Sequence, residues 1–188
     1  MSVALIIALP DEAYGIENIK GVTTYISGVG KINSAIATFQ AIKRGATKII
    51  NYGSAGLVSD LDIVNKLIEP DMIIQRDMLA EPLAPRGVTP FEEGDLSGAL
   101  PLPTNSDITL GTGDSFVQDT DPWFKYANVD IVDMEAYSIY KTCRKFNVNF
   151  KCYKWVTDYA DKNAKKDWAQ NVSNGNLAFN KKLKEMFS

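Results

Sequence analysis

Acid–base chemistry in this chain has few places to reside. Histidine is absent, which removes serine–histidine and cysteine–histidine nucleophilic pairs and every histidine-bearing zinc site. Proton transfer must therefore fall to carboxylates, lysines or tyrosines. Carboxylates stand directly after apolar runs of strand length: Asp11 and Glu12 after 3–9, Glu135 after 129–133, and Asp158 after 150–157. Glycine-bearing segments, Gly53-Ser54-Ala55-Gly56 and Gly113-Asp114-Ser115-Phe116, occupy similar places. Open α/β sheets bind ligands at the carboxyl ends of their strands, so five such loops are expected to converge on one rim. Each feature also has a plain reading: Asp11 and Glu12 suit the first turn of a helix, and Gly53 to Gly56 suits a tight turn. Gly28-Val29-Gly30 suggests an anion-binding turn, but Asn33 stands where the dinucleotide fingerprint needs its third glycine, so no nicotinamide cofactor is expected.

The elements that must position these residues follow from alternating periodicities. Strands are expected over Val3–Leu9, Thr23–Gly28, Lys48–Tyr52, Asp71–Arg76, Ile108–Gly111, Val129–Asp133 and Phe150–Thr157, most of them rich in Val, Ile, Thr or aromatics. A helix is expected from Lys31 to Gly45 with Ile32, Ile36 and Phe39 on one face, and another from near Met134 to Phe146. The last runs from about Ala164 to the C-terminus with Trp168, Val172, Phe179, Leu183 and Met186 at helical spacing, and Gly175 with its Asn neighbours is a point of interruption. Strands alternating with helices imply an α/β fold, three-layer α/β/α, with a mixed and largely buried central sheet. Glu81 to Thr104 holds most of the prolines with Gly87, Gly94 and Gly98, and reads as an irregular lid or subunit contact.

Bulk properties narrow the function further. At 188 residues and 45% hydrophobic content the chain fits one domain, 1–188. A net charge of -3 supplies no basic face for phosphate backbones, so nucleic acid is not an expected partner. No apolar stretch approaches the roughly 18 to 20 residues needed to span a bilayer, and the apolar N-terminus lacks the basic leader of a signal peptide. Cys143 and Cys152 are the only cysteines, without metal-ligand spacing; no metal is expected, and a reduced, cytoplasmic setting is.

Read in order, six segments resemble the nucleoside phosphorylase and nucleosidase superfamily, most closely its methylthioadenosine/S-adenosylhomocysteine nucleosidase branch. They are Ala8-Leu9-Pro10-Asp11-Glu12, Ser27 to Ala35, Asn51 to Gly56, Gly113 to Val117, Asp133-Met134-Glu135-Ala136, and Val156 to Asp161. The resemblance implies hydrolysis of a purine N-glycosidic bond without a cofactor. In it Asp158 protonates N7 of the base, helped by Thr157, which replaces the usual serine, and Glu12 binds the attacking water. Glu135 holds the ribose hydroxyls, Met134 packs on the sugar, Phe116 stacks on the base, the Val117 backbone reads its edge, and Ser54 lies near water and sugar. It also implies a homodimer.

Two departures leave alternatives open. The segment Gln75 to Glu92, where that branch builds its pocket for the 5′-substituent, differs from the usual run. Arg76 and Arg86, two of four arginines, suit a phosphate or a carboxylate on the 5′-group, or simple surface pairs with Asp77 or Glu81. A nucleotide nucleosidase, a phosphorylase and a non-catalytic nucleoside sensor are the competing functions. A phosphorylase needs a cationic pocket, and the glycine turn offers only Lys31.

Overall fold

β1 (Val3–Ile7) is buried at every position, and its alternation shows the layering directly. Ala4 and Ile6 point into a core completed by Ala41, Ile139 and Cys143, whereas Val3, Leu5 and Ile7 point into a second core with Tyr52, Phe179 and Leu183. A strand that reads as one continuous apolar run is thus covered on both faces, as in a three-layer α/β/α arrangement. The computed structural model describes residues 2–92, 98–119 and 121–187; Met1, Gly94 and Ser188, which the sequence reading touched, lie outside them.

After β1 come the short helix α1 (Pro10–Ala13), β2 (Val22–Ile26), α2 (Lys31–Lys43) and β3 (Lys48–Leu57). β4 (Leu67–Ile68), β5 (Met72–Gln75), β6 (Leu100–Pro101) and β7 (Thr109–Thr112) follow. α3 (Pro122–Tyr126), β8 (Ile131–Asp133), α4 (Ala136–Lys145), β9 (Asn149–Asp158) and α5 (Ala164–Phe187) complete the order. One mixed sheet runs β2-β1-β3-β8-β7-β5-β6, and β9 pairs with both β3 and β4. Leu100 pairs with Ile73, so the irregular segment after Glu81 returns to the sheet edge.

Three expectations change. Gly53 to Gly56 is not a turn: β3 continues through it because β9 runs parallel to it from Lys48 to Gly56. α2 does not bury Ile32, Ile36 and Phe39, which are 73%, 52% and 41% exposed; its core face is Ser34, Ala37, Thr38 and Ala41. Small residues there let α2 lie close to α4, where the Ser34 and Ser138 hydroxyls meet at 2.6 Å. α5 is not broken at Gly175. A Cβ on that residue would stand 2.5 Å from Trp155 Cγ and 2.8 Å from Tyr52 Oη, so the glycine lets the helix lie directly on the sheet rather than ending it.

Candidate active site

The carboxyl ends of β1, β3, β7, β8 and β9 meet around one cavity of about 240 Å³. Glu12, Ser54, Phe116, Val117, Met134, Glu135, Thr157 and Asp158 all line it, together with Arg76; Arg86 does not. The expected residues are therefore brought together by the fold, through segments separated by up to most of the chain length.

β3 and β9 build the floor. Ala55 pairs with Val156 but Gly56 pairs with Asp158, so Thr157 is an extra residue in the ladder. Such a bulge re-aims side chains, and here both Thr157 and Asp158 face the cavity. Asp158 is 4% exposed. Its Oδ1 accepts the Ala160 N–H at 2.9 Å, and its Oδ2 accepts the Thr157 hydroxyl at 2.6 Å. Burial, reinforced by the negative charges of Asp167 and Asp161, raises its pKa above the usual carboxylate value despite those hydrogen bonds. The Thr157 hydroxyl has a second acceptor, Ala55 O, at 3.3 Å. It can turn there when Asp158 carries a proton. Gly56 makes room: a Cβ on it would stand 3.0 Å from Asp158 Oδ1.

Glu12 sits on α1 and is 3% exposed. Its Oε1 accepts the Ser54 N–H at 2.8 Å and the Ser54 hydroxyl at 2.6 Å; its Oε2 accepts the Leu9 N–H at 3.2 Å. A four-residue helix holds no position alone, and α5 supplies the anchor. The Asn176 amide donates to Asp11 O and Tyr14 O at 2.9 and 3.0 Å.

Glu135 is 8% exposed, and its Oε1 accepts the Gly30 N–H at 2.9 Å. Burial first, then the neighbouring Asp133, push its pKa up to about 7, against the opposing pull of Lys154. Beneath it the Lys154 ammonium pairs with Asp133 at 2.8 Å, both groups 1% exposed. Asp133 also accepts the Glu135 and Ala136 N–H groups and the Thr112 hydroxyl. A buried ion pair is tolerable only when its remaining polar atoms are satisfied in this way.

The N-terminus of α2 is the one anion-binding feature anticipated from the glycine turn, and the protein fills it itself. Gly30 N–H goes to Glu135, and Lys31 N–H goes to Asp114 Oδ1 at 2.8 Å. The Lys31 ammonium is held by Asp77 at 2.6 Å and Asp114 at 3.7 Å, and this pairing helps hold the Asp77 carboxyl below its usual range.

Neither arginine is available as anticipated. Arg76 is 3% exposed. It donates to Gly111 O, Gly113 O, Ser115 O and Ser115 Oγ, fastening the loop that carries Phe116. Arg86 donates to Arg76 O, pairs with Asp121 at 2.6 Å and lies over the Trp123 ring, away from the cavity. Arg76 is turned into the cavity wall by the carbonyls of Gly111, Gly113 and Ser115, buried acceptors that need donors.

Sequence reasoning missed Leu9, Val29, Lys165 and Trp168, which also line the cavity. Its spacing places Trp168 in the apolar stripe of the last helix. Its indole N–H, a donor that needs a partner when partly buried, was the available signal.

Comparison with known proteins agrees with this geometry. The sequence profile of the Phosphorylase superfamily matches residues 15–186. The 5′-methylthioadenosine/S-adenosylhomocysteine nucleosidase of Staphylococcus haemolyticus is 30% identical over 162 residues, covering 77% of this chain and 71% of the relative. That of Oceanobacillus iheyensis is 28% identical, covering 75% and 69%. Among solved structures, the Helicobacter pylori 5′-methylthioadenosine/S-adenosylhomocysteine nucleosidase superposes with a TM-score of 0.84 at 19% identity, covering 98% and 97% of the two chains. The futalosine hydrolase of the same organism gives 0.84 at 19%, covering 98% and 96%. The mixed sheet, the cavity at its carboxyl edge and the match along 15–186 converge: the chain belongs to the phosphorylase superfamily.

Proposed function

We propose that this chain, acting as a single catalytic domain, hydrolyses the N-glycosidic bond of an adenine nucleoside with a 5′-thio substituent, 5′-methylthioadenosine or S-adenosylhomocysteine. The observation that carries this reading is the set of three buried carboxylates, Glu12, Glu135 and Asp158, facing one cavity. A raised pKa suits Asp158 to give its proton to purine N7 as the C1′–N9 bond breaks and its electron pair moves into the base. The sugar becomes cationic, and buried negative charge at Glu12, and at Glu135 in its ionised form, stabilises that character. Glu12 takes a proton from water as the oxygen attacks C1′. Glu135 binds the ribose hydroxyls, Met134 packs on the sugar, Phe116 stacks on the base and the Val117 backbone meets its edge.

Water rather than phosphate is the nucleophile in this reading. A phosphate would have to displace Glu135 and Asp114 from the N-terminus of α2 and compete for Lys31, already neutralised by two carboxylates. The engaged donors of Arg76 and Arg86 likewise favour a neutral or thio-linked 5′-group over a 5′-phosphate. The test is free adenine release from 5′-methylthioadenosine in phosphate-free buffer, with a 5′-hydroxyl, homocysteinyl and phosphate panel alongside. Adenine and free methylthioribose are expected. Strict dependence on added phosphate, or no turnover across the panel, overturns the reading.

A homodimer belongs to the same proposal. Ile32, Ile36 and Phe39 form an exposed apolar face on α2, with the Phe146 ring tilted against Phe39 at 5.4 Å and Val29 and Phe116 exposed at the cavity. Covering this face with a second copy would close the cavity from outside. A sedimenting mass of one chain at micromolar concentration would refute it. A reducing, cytoplasmic setting also fits, since both cysteines are free and buried.

A further inference from the structure

We propose that Trp168 is a positioning residue for the water-activating carboxylate, acting through the Ser54 hydroxyl. This rests on the nucleosidase reading and adds a part that the reading does not need. Trp168 lies on the second turn of α5 and lines the cavity. Its Nε1–H donates to Ser54 Oγ at 2.9 Å, and Ser54 Oγ donates to Glu12 Oε1 at 2.6 Å.

The direction of this chain is fixed by its first member. An indole N–H can only donate, whereas a hydroxyl has one proton and can turn it elsewhere. With the indole proton facing its lone pair, Ser54 must accept from Trp168, and its own proton is aimed at Glu12. Oε1 then receives two hydrogen bonds, from the Ser54 N–H and hydroxyl. Oε2 receives only the longer bond from Leu9 N–H at 3.2 Å. The carboxylate is thereby made unsymmetrical: Oε1 is the anchored oxygen, and Oε2 keeps the acceptor capacity that a water proton needs. Without the indole N–H, Ser54 is free to rotate, and Glu12 gains a second orientation in which the saturated oxygen faces the water.

α5 is built to hold the indole in place. Asn171 ties it to β9 twice: its side-chain amide donates to Thr157 O at 2.8 Å, and its backbone carbonyl accepts from Trp155 Nε1 at 3.1 Å. The helix that sets Trp168 is therefore fastened to the strand that carries Asp158, and the acid and the base share one mount.

The test is steady-state hydrolysis of 5′-methylthioadenosine by the full chain and its W168F, S54A, W168F/S54A and D158N variants, with thermal melting of each. W168F keeps an aromatic ring and loses the donor. Loss of one neutral hydrogen bond at the reacting end corresponds to about a tenfold lower kcat. We expect that fall with KM within about twofold, and a double variant no slower than S54A alone, because both substitutions break one chain. A kcat for W168F within about twofold of wild type overturns the role. So does a change confined to KM, which marks mere space filling, and so do multiplicative losses in the double variant. S54T, which keeps the hydroxyl, should retain the W168F sensitivity that S54A lacks. Wild-type turnover that D158N abolishes, with W168F unchanged, removes Trp168 alone; absence of wild-type turnover removes both readings.

Discussion

Replacing Gly175 with alanine sets two effects of opposite sign against each other. In an exposed helix interior the change stabilises by about 1 kcal/mol through helix propensity. Here the new Cβ would lie 2.5 Å from Trp155 Cγ, 2.7 Å from Cδ1 and 2.8 Å from Tyr52 Oη. Ordinary carbon contacts begin near 3.5 Å, so a gap of about 1 Å must open somewhere. Trp155 cannot yield it: the ring is 8% exposed, belongs to the strand paired with β3 and is tied at Nε1 to Asn171 O. Overpacking of this kind costs about 1–3 kcal/mol, so after the propensity gain of about 1 kcal/mol the net loss is up to about 2 kcal/mol. For a chain of this size that lowers Tm by up to about 8 °C. The helix can move only by rising off the sheet, which also stretches the Trp168–Ser54 hydrogen bond two turns away. Thermal melting with Asn174→Ala, at the adjacent exposed position, as the propensity control reads the outcome. A G175A protein as stable as the control, or more so, refutes the argument that this glycine serves close approach.

Other consequences can be checked separately. Lys154→Met strands the buried Asp133 carboxylate, and such a break costs about 3–5 kcal/mol; an unchanged urea midpoint would show that the pair is dispensable. Asp158→Asn removes the proton donor and should lower kcat by about 10²- to 10⁴-fold with little change in KM, as quenched-flow or steady-state adenine release would show. Because burial raises the Asp158 pKa, wild-type kcat/KM should fall as pH rises through that value. Glu135, with its folded pKa up at about 7 against 4.5, binds its proton more tightly in the native state. Its contribution to stability is therefore complete below pH 4.5 and lost as pH rises through 7. Melting curves of wild type and Glu135→Gln over pH 4.5–8 should diverge in slope in that window, and parallel curves would contradict the burial argument.

How much of this was legible in the sequence depended on how local the controlling physics is. β1 and α2 announce themselves through a continuous apolar run and a glycine stop, and the carboxylates that end the strands stand where ligands bind. The continuation of β3 through Gly53 and Gly56 was hidden. Those glycines answer to Glu12 and Asp158, which stand within 3.4 and 3.0 Å of where their Cβ atoms would be, a relation no window of sequence contains. The α2 face was misjudged for a similar reason: Ile32, Ile36 and Phe39 have the right spacing for a core stripe, but the core side was claimed by the small residues that admit α4. Arg76 has the chemistry of an anion binder, and its role was settled by carbonyls about 35 to 57 positions away.

The dependence of the cavity on α5 carries over to how the chain is made. Every carboxylate of the site precedes that helix in the sequence, yet Glu12 is anchored through Asn176, Ser54 through Trp168 and the Asp158 strand through Asn171. A nascent chain that has emerged only as far as Asp158 holds its acid, its base and its sugar-binding group without the scaffold that aims them. The site is therefore complete only once residues 164–176 have docked. Premature termination anywhere before that step should yield a protein that contains the charged groups yet fails to turn over, and adding the missing helix as a separate peptide would be a direct way to watch the last piece arrive.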